Sequence, residues 1–273
     1  ERPPEYNRII SWAKDYRFKM TMKDVEENIN IDNFSRWWIS HLFCANSDPY
    51  QGIAFLDKSK QGAKWSWINW DMDHSIRNRY ETDINNIWEQ KINIQQLMNK
   101  SKKVTTTDIR AILFRRLNIE DPEYRKYFQR MIMDILNHRL TPEYLESRVL
   151  YYEKTAKSFG IKKLGFISET REFFKHRHEF LMKLLKKYLD YPDSFYCKVR
   201  NIGDADLKID GYIHKQGYKG LYFKSSKITV EIVGDKGKEI SYWLVNGEKV
   251  KNNSNKLTYS INSNTIIDAV LFK

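Results

Sequence analysis

The chain changes its hydrophobic rhythm once. Up to about residue 190, apolar residues recur at helical spacing; beyond it, short β-rich runs alternate with Gly and Asn turns. A first helix is predicted from Glu5 to Tyr16. Thr21 with Asp24 three residues on has the form of a capping box. Asp32 is predicted to cap a helix that presents Phe34, Trp37, Trp38, His41 and Leu42 on one face at i, i+3, i+4, i+7 and i+8. That helix should end before Ser47-Asp48-Pro49, because a residue preceding proline resists the α conformation. Two strand-like runs follow, Ile53–Leu56 and Lys64–Trp70, joined by the turn residues Lys58-Ser59-Lys60-Gln61-Gly62. Residues 83–190 read as helical again. Thr107, Asp121-Pro122-Glu123 and Thr141-Pro142-Glu143 supply helix starts, and a last helix runs from about Ser168 to Tyr188.

After Tyr191-Pro192-Asp193, six strand-like runs are predicted: Phe195–Val199, Gly220–Phe223, Lys227–Val233, Ile240–Val245, Leu257–Ile261 and Ile266–Phe272. Asn246-Gly247 between two of the runs favours a type I′ hairpin. The expected class is α+β: a mostly helical domain over 1–191 with one β-hairpin, then a small all-β sandwich over 192–273.

Composition narrows the function classes. The 273 residues are 41 % hydrophobic and 14 % aromatic, which excludes a disordered chain. No apolar run approaches the roughly 18 residues of a membrane span. The net charge of +12 is spread along the chain, with no block of five like charges. A solvated Lys-rich surface is the preferred reading over a polyanion-binding patch, so nucleic acid is not expected as a partner. The two cysteines, Cys44 and Cys197, have no metal-site spacing and are expected as buried thiols. The sequence opens at Glu1 without Met, and it is expected to be part of a longer protein.

Chemistry concentrates between Asn46 and Asp73. A hairpin brings its outer ends together, so Asp48 and Asp71 are expected to be neighbours in space. Two or three carboxylates at a strand end form a hard-oxygen site suited to Mg²⁺ or Mn²⁺, and one could accept a proton. Spacing alone leaves plainer roles open: Asp48 as a turn residue, Asp71 as a cap and Asp73 as a solvated side chain. The tryptophans Trp37, Trp65 and Trp70 are expected in the core. No Gly-x-Ser-x-Gly elbow is present for serine hydrolase chemistry.

Asn33-Phe34, Ala45-Asn46-Ser47-Asp48 and Ala63-Lys64-Trp65-Ser66-Trp67-Ile68-Asn69-Trp70-Asp71-Met72-Asp73 resemble the core motif of the CotH-type (spore coat H) atypical protein kinases. Thr170–Arg177 is similar to that family's closing helix. The resemblance covers about residues 20–190 and implies a protein-kinase-like C-lobe. It implies ATP-dependent phosphorylation of protein Ser or Thr with Mg or Mn, by a secreted or surface-associated bacterial protein. Asp48 would orient or deprotonate the acceptor hydroxyl, Asp71 would hold metal on the nucleotide phosphates, and Asp73 would support that site. The family places an Asn four or five residues after the catalytic Asp, where this chain has Gly52 and Ile53. Gln51, one residue earlier, would be the substitute neutral oxygen ligand. The nucleotide-clamping lobe is expected upstream of Glu1, which makes the isolated chain an expected fragment. The competing reading is a non-catalytic surface or binding protein, with a protein or surface ligand as partner, on the same scaffold.

Overall fold

The computed structural model describes residues 3–46, 52–72, 75–76, 108–161, 164–202, 205–215, 217–233, 240–250 and 254–271. Two compact units emerge. The first comprises Glu1–Ile132 and Leu145–Asp190, the second Met133–Tyr144 and Tyr191–Lys273. Helices come first and sheets second, so the class is α+β.

The first unit begins with α1 (Pro4–Ala13), α2 (Met22–Glu26) and α3 (Ile31–Cys44). Thr21 and Asp24 form the predicted capping box. The cap of α3 is Asn30 rather than Asp32: Asn30 Oδ1 accepts the Asn33 amide at 3.0 Å. Asp32 sits inside the first turn, where its carboxylate binds Arg36 at 2.7 Å. The predicted apolar face of α3 is the buried one. Trp38 stacks on Phe114 at 4.5 Å, and Phe114 meets Phe128 edge-on at 5.2 Å. These rings come from α4 (Ile109–Glu120) and α5 (Pro122–His138). Asp108, not Thr107, caps α4. Two further helices, α6 (Pro142–Ser158) and α7 (Ile167–Leu189), follow.

A buried arginine organises the segment that follows α1. Arg116 on α4 is 2 % exposed and binds Glu120 through two bonds of 2.8 Å. It also donates to the carbonyls of Ala13, Asp15 and Phe18 at 3.0, 3.0 and 2.6 Å. Burying a guanidinium is costly unless its donors are used. Here the chain wraps around it, and Glu120 Oε2 also accepts the Met20 amide at 2.7 Å.

The predicted hairpin is present but shorter: β1 (Ile53–Phe55) pairs antiparallel with β2 (Ser66–Ile68), with Ile53 opposite Ile68. Trp65 and Trp67 are buried, as is Trp37. Trp70 is not: at 57 % exposed it corrects the expectation of a core role. It lies past the end of β2.

The second unit is a β-sandwich of nine strands among the described residues: β3 (Ser194–Ile202), β4 (Asp206–Ile209), β5 (Tyr212–His214), β6 (Tyr218–Phe223), β7 (Lys227–Val233), β8 (Ile240–Val245), β9 (Glu248–Val250), β10 (Lys256–Ser260) and β11 (Thr265–Leu271). One sheet has the order β10-β7-β4-β5, the other β6-β3-β11-β8-β9. The first and last strands, β3 and β11, run parallel; every other pair is antiparallel. Both sheets face one core, which holds Val199, Leu207, Val230, Trp243 and Ile267. Asn246 and Gly247 both have positive φ, +52° and +86°, as a type I′ turn requires. Asn137 clamps β6, donating to Leu221 O at 3.0 Å and accepting its amide at 2.9 Å.

Candidate functional site

The chain leaves α3 through a fixed exit. Ala45 is in the left-handed region at φ +51°, and the Asn46 amide returns to His41 O at 3.1 Å. Asn46 is fully buried. Its side-chain amide reaches His41 Nδ1 at 2.9 Å and Met72 Sδ at 3.5 Å. Asn46 stands two residues before Asp48, and Met72 stands between Asp71 and Asp73. The two ends of the predicted site are therefore tied by one side chain. A second tie joins the Ile76 amide to Cys44 O at 2.7 Å.

The backbone here is strained. Asp71 and Ile76 hold φ of +50° and +67°. For a β-branched residue that conformation costs roughly 1–3 kcal/mol, and such strain gathers at functional sites. Asp71 is exposed. Asp48, Gln51, Asp73 and the neighbouring His74 lie outside the described residues.

Asn33 explains its place in the motif. Its side chain donates to Trp67 O at 3.1 Å and accepts the Trp67 amide at 2.7 Å. This double bond fastens β2 to α3, and the paired hairpin fixes where residues 52 and 69 emerge. Asn30 N–H to Trp65 O at 2.9 Å and Trp65 N–H to Asn28 O at 2.8 Å continue the seam.

Two arginines that sequence reasoning did not single out brace the exit. Arg177 on α7 is fully buried and donates from Nε to Phe43 O at 2.7 Å and from Nη2 to Leu42 O. It donates to carbonyls of the last turn of α3, where helical partners run out; Leu42 O otherwise has only a long bond from the Ala45 amide at 3.4 Å. Burial pulls its pKa down to about 9, which leaves it charged at neutral pH. Arg110 binds Asp108 at 2.5 Å and lies over Trp37, 5.1 Å from the ring centroid. A Cβ at Gly52 would fall 2.2 Å from Arg110 Nη1 and 3.4 Å from Trp37. A side chain at position 52 would require the end of the flexible Arg110 side chain to move aside. The only sequence signal was the Arg in Thr170–Arg177, carried by the family resemblance.

His41 is buried beneath this exit, 4.1 Å from the Trp37 ring. Desolvation, with the Arg110 charge adding to it, pushes its pKa down to about 4. Neutral His41 accepts from Asn46 at Nδ1, which places its proton on the buried Nε2. Cys44 and Cys197 are free thiols, and burial raises their pKa to about 11 and about 12. Neither has the thiolate character of a nucleophile.

Among the described residues no group of three or more His, Cys, Asp or Glu side chains could hold a metal ion. No described helix is long and apolar enough to cross a membrane.

A helix that closes at Ala45-Asn46, a short hairpin and Asp71 past its open end carry the residues of the motif; the family match makes this a kinase-like protein. The family model described as CotH kinase protein matches residues 4–164, and the chain belongs to that family. Searches of curated proteins and of solved structures returned no match.

Proposed function

We propose that this protein transfers phosphate from ATP to a Ser or Thr hydroxyl of a protein substrate, at a site formed by Asp48, Asp71 and Asp73. The observation that supports this most is the Asn46–Met72 contact, which ties the residues flanking Asp48 to those flanking Asp71. Asp48 would align the acceptor hydroxyl and take its proton. Asp71 and Asp73 would hold Mg²⁺ or Mn²⁺, with Gln51 adding a neutral oxygen. An exposed carboxylate on a strained, well-anchored turn suits such a cation, whose ligands are hard oxygens. The bound ion would neutralise charge on the phosphates. The chain's own part would be positioning: the anchored α3 exit and the hairpin, from which these residues follow in the chain, would limit the reorganisation left for the reaction. Residence on a surface such as the spore coat follows from the family and is part of the same proposal.

Calorimetric titration of Mn-ATP into the full gene product tests the nucleotide half of this reading. Binding is expected to need the metal and to weaken at least tenfold in Asp71→Asn. Binding that ignores metal and substitution alike contradicts it.

A second reading is favoured by Gly52. Position 52 carries no side chain to serve as a ligand, and the tip of Arg110 stands beside it. A protein that keeps the scaffold and binds a surface ligand without catalysis would show no Mn-ATP binding.

A further inference from the structure

A second recess lies in the first unit, at the turn end of the hairpin. It has a volume of about 340 Å³, within the usual size range of ligand pockets. Ile9 and Trp12 of α1, with Leu56 and Trp65 of the hairpin, supply its apolar lining. Tyr6 steadies Trp65 by an edge contact at 4.9 Å.

The polar rim is asymmetric in charge. Glu5 is occupied by Lys58 at 3.1 Å. Arg8, one turn further along α1, lines the recess and is exposed. Among the described residues Arg8 makes no ion pair. The recess therefore offers a mixed lining with apolar groups and two indole rings, and on its rim a guanidinium whose charge also acts on Glu5 but which forms no ion pair with it. A bidentate carboxylate is the partner that a guanidinium fits best.

We infer that this recess is a docking site for an extended peptide segment of a protein partner, one that places a large apolar side chain next to an acidic residue. The apolar side chain fills the floor between Ile9, Trp12 and Leu56, and the carboxylate pairs with Arg8. The choice of the phosphoacceptor protein as source of the peptide rests on the kinase reading; the binding itself does not. From Trp65 to Asp71 is six residues, at most about 20 Å of extended chain. A docked substrate would thus present its hydroxyl on the order of six residues from the docked pair.

The test uses tryptophan fluorescence without ATP, since Trp12 and Trp65 both line the recess. The probes are the acetylated, amidated peptides Gly-Phe-Glu-Gly, Gly-Phe-Gln-Gly and Gly-Phe-Lys-Gly. A saturable change with the Glu peptide is expected, at least fivefold tighter than with the Gln peptide, and tighter still than with Lys. Arg8→Glu, an exposed change on α1, should remove the preference for Glu and reverse it toward Lys. Equal affinity for the three peptides, no saturable change, or an unaltered preference in Arg8→Glu overturns the proposal. Because ATP is absent, a protein that fails to transfer phosphate can still pass. A protein that phosphorylates its substrate but shows no charge preference here refutes only the docking site.

Discussion

Arg177→Ala is expected to destabilise the first unit by about 3–5 kcal/mol. The substitution removes a fully buried guanidinium that donates to Leu42 O and Phe43 O from a helix more than 130 residues away. Two carbonyls at the end of α3 would lose those donors, each lost bond to a charged group being worth roughly 1.5–3 kcal/mol. The side chain also packs over Phe173, 5.1 Å from its ring centroid, so a cavity adds to the loss. Arg177→Lys should recover little, because one ammonium cannot reproduce a planar fork at two carbonyls. The check is urea unfolding followed by far-ultraviolet circular dichroism, which weights the helical unit. A midpoint within error of the unsubstituted protein would show that α3 ends without help from α7.

The second large effect is a loss of stability in mild acid that traces to His41. Its pKa falls from 6.5 to about 4 on folding, with desolvation the main cause and the Arg110 charge second. A histidine whose folded pKa is depressed favours the folded state above its unfolded pKa. That contribution is lost as pH falls from about 6.5 towards 4. Linkage sets the size at about 3 kcal/mol between pH 7 and pH 4. Proton uptake would also replace the acceptor Nδ1 with a donor facing the Asn46 amide, breaking the contact that holds the site's exit. Depressed carboxylates such as Asp15, held at about 2 chiefly by Arg17, act in the same direction but only below their unfolded value near 3.8. They are solvent-screened and titrate later. His214, in the second unit, is also lowered, chiefly by burial, and acts in the same direction, so the His41→Gln comparison is what singles out His41. Unfolding curves at pH 7.0 and 4.5 should separate in the natural protein and draw together in His41→Gln. An unchanged pH dependence in that variant would assign the acid lability elsewhere.

Much of this was legible in the sequence, and the exceptions share causes. Helix α3 could be read because five large side chains repeat at helical spacing and all find the core. Strand β7 could be read because buried Ile228, Val230 and Ile232 alternate with less buried neighbours. Six of the nine sandwich strands were anticipated. The missed three, β4, β5 and β9, are three or four residues long, too short for alternation to rise above turn composition. The cap of α3 shifted from Asp32 to Asn30 because Asp32 is engaged by Arg36 within the helix. Trp70 misled because an aromatic residue at strand spacing was assumed to have a partner layer.

The candidate site was legible as a motif and not as an environment. Asn33, Asn46 and Asp71 stand in the quoted pattern, and the structure gives the first two their contacts. The bracing roles of Arg110, Arg116 and Arg177 could not be read, since an arginine in a helix reads as solvated; Arg177 stood only as part of the quoted Thr170–Arg177 stretch. Arg116 serves carbonyls about 100 residues away in sequence and Arg177 carbonyls more than 130 away, while Arg110 lies over Trp37 and beside Gly52. No local pattern encodes such partnerships.

The measurement that tests the central claim most directly is transfer of the γ-phosphate. The full gene product is incubated with radiolabelled ATP, Mn²⁺ and a Ser/Thr-containing protein acceptor, and label in hydroxyl-linked phosphate is counted. The account predicts metal-dependent incorporation that drops to background in Asp48→Asn and in Asp71→Asn, with both variants folded by circular dichroism. Incorporation that survives either substitution, or none in a protein that folds and binds Mn-ATP, contradicts the assignment of phosphate transfer to this site.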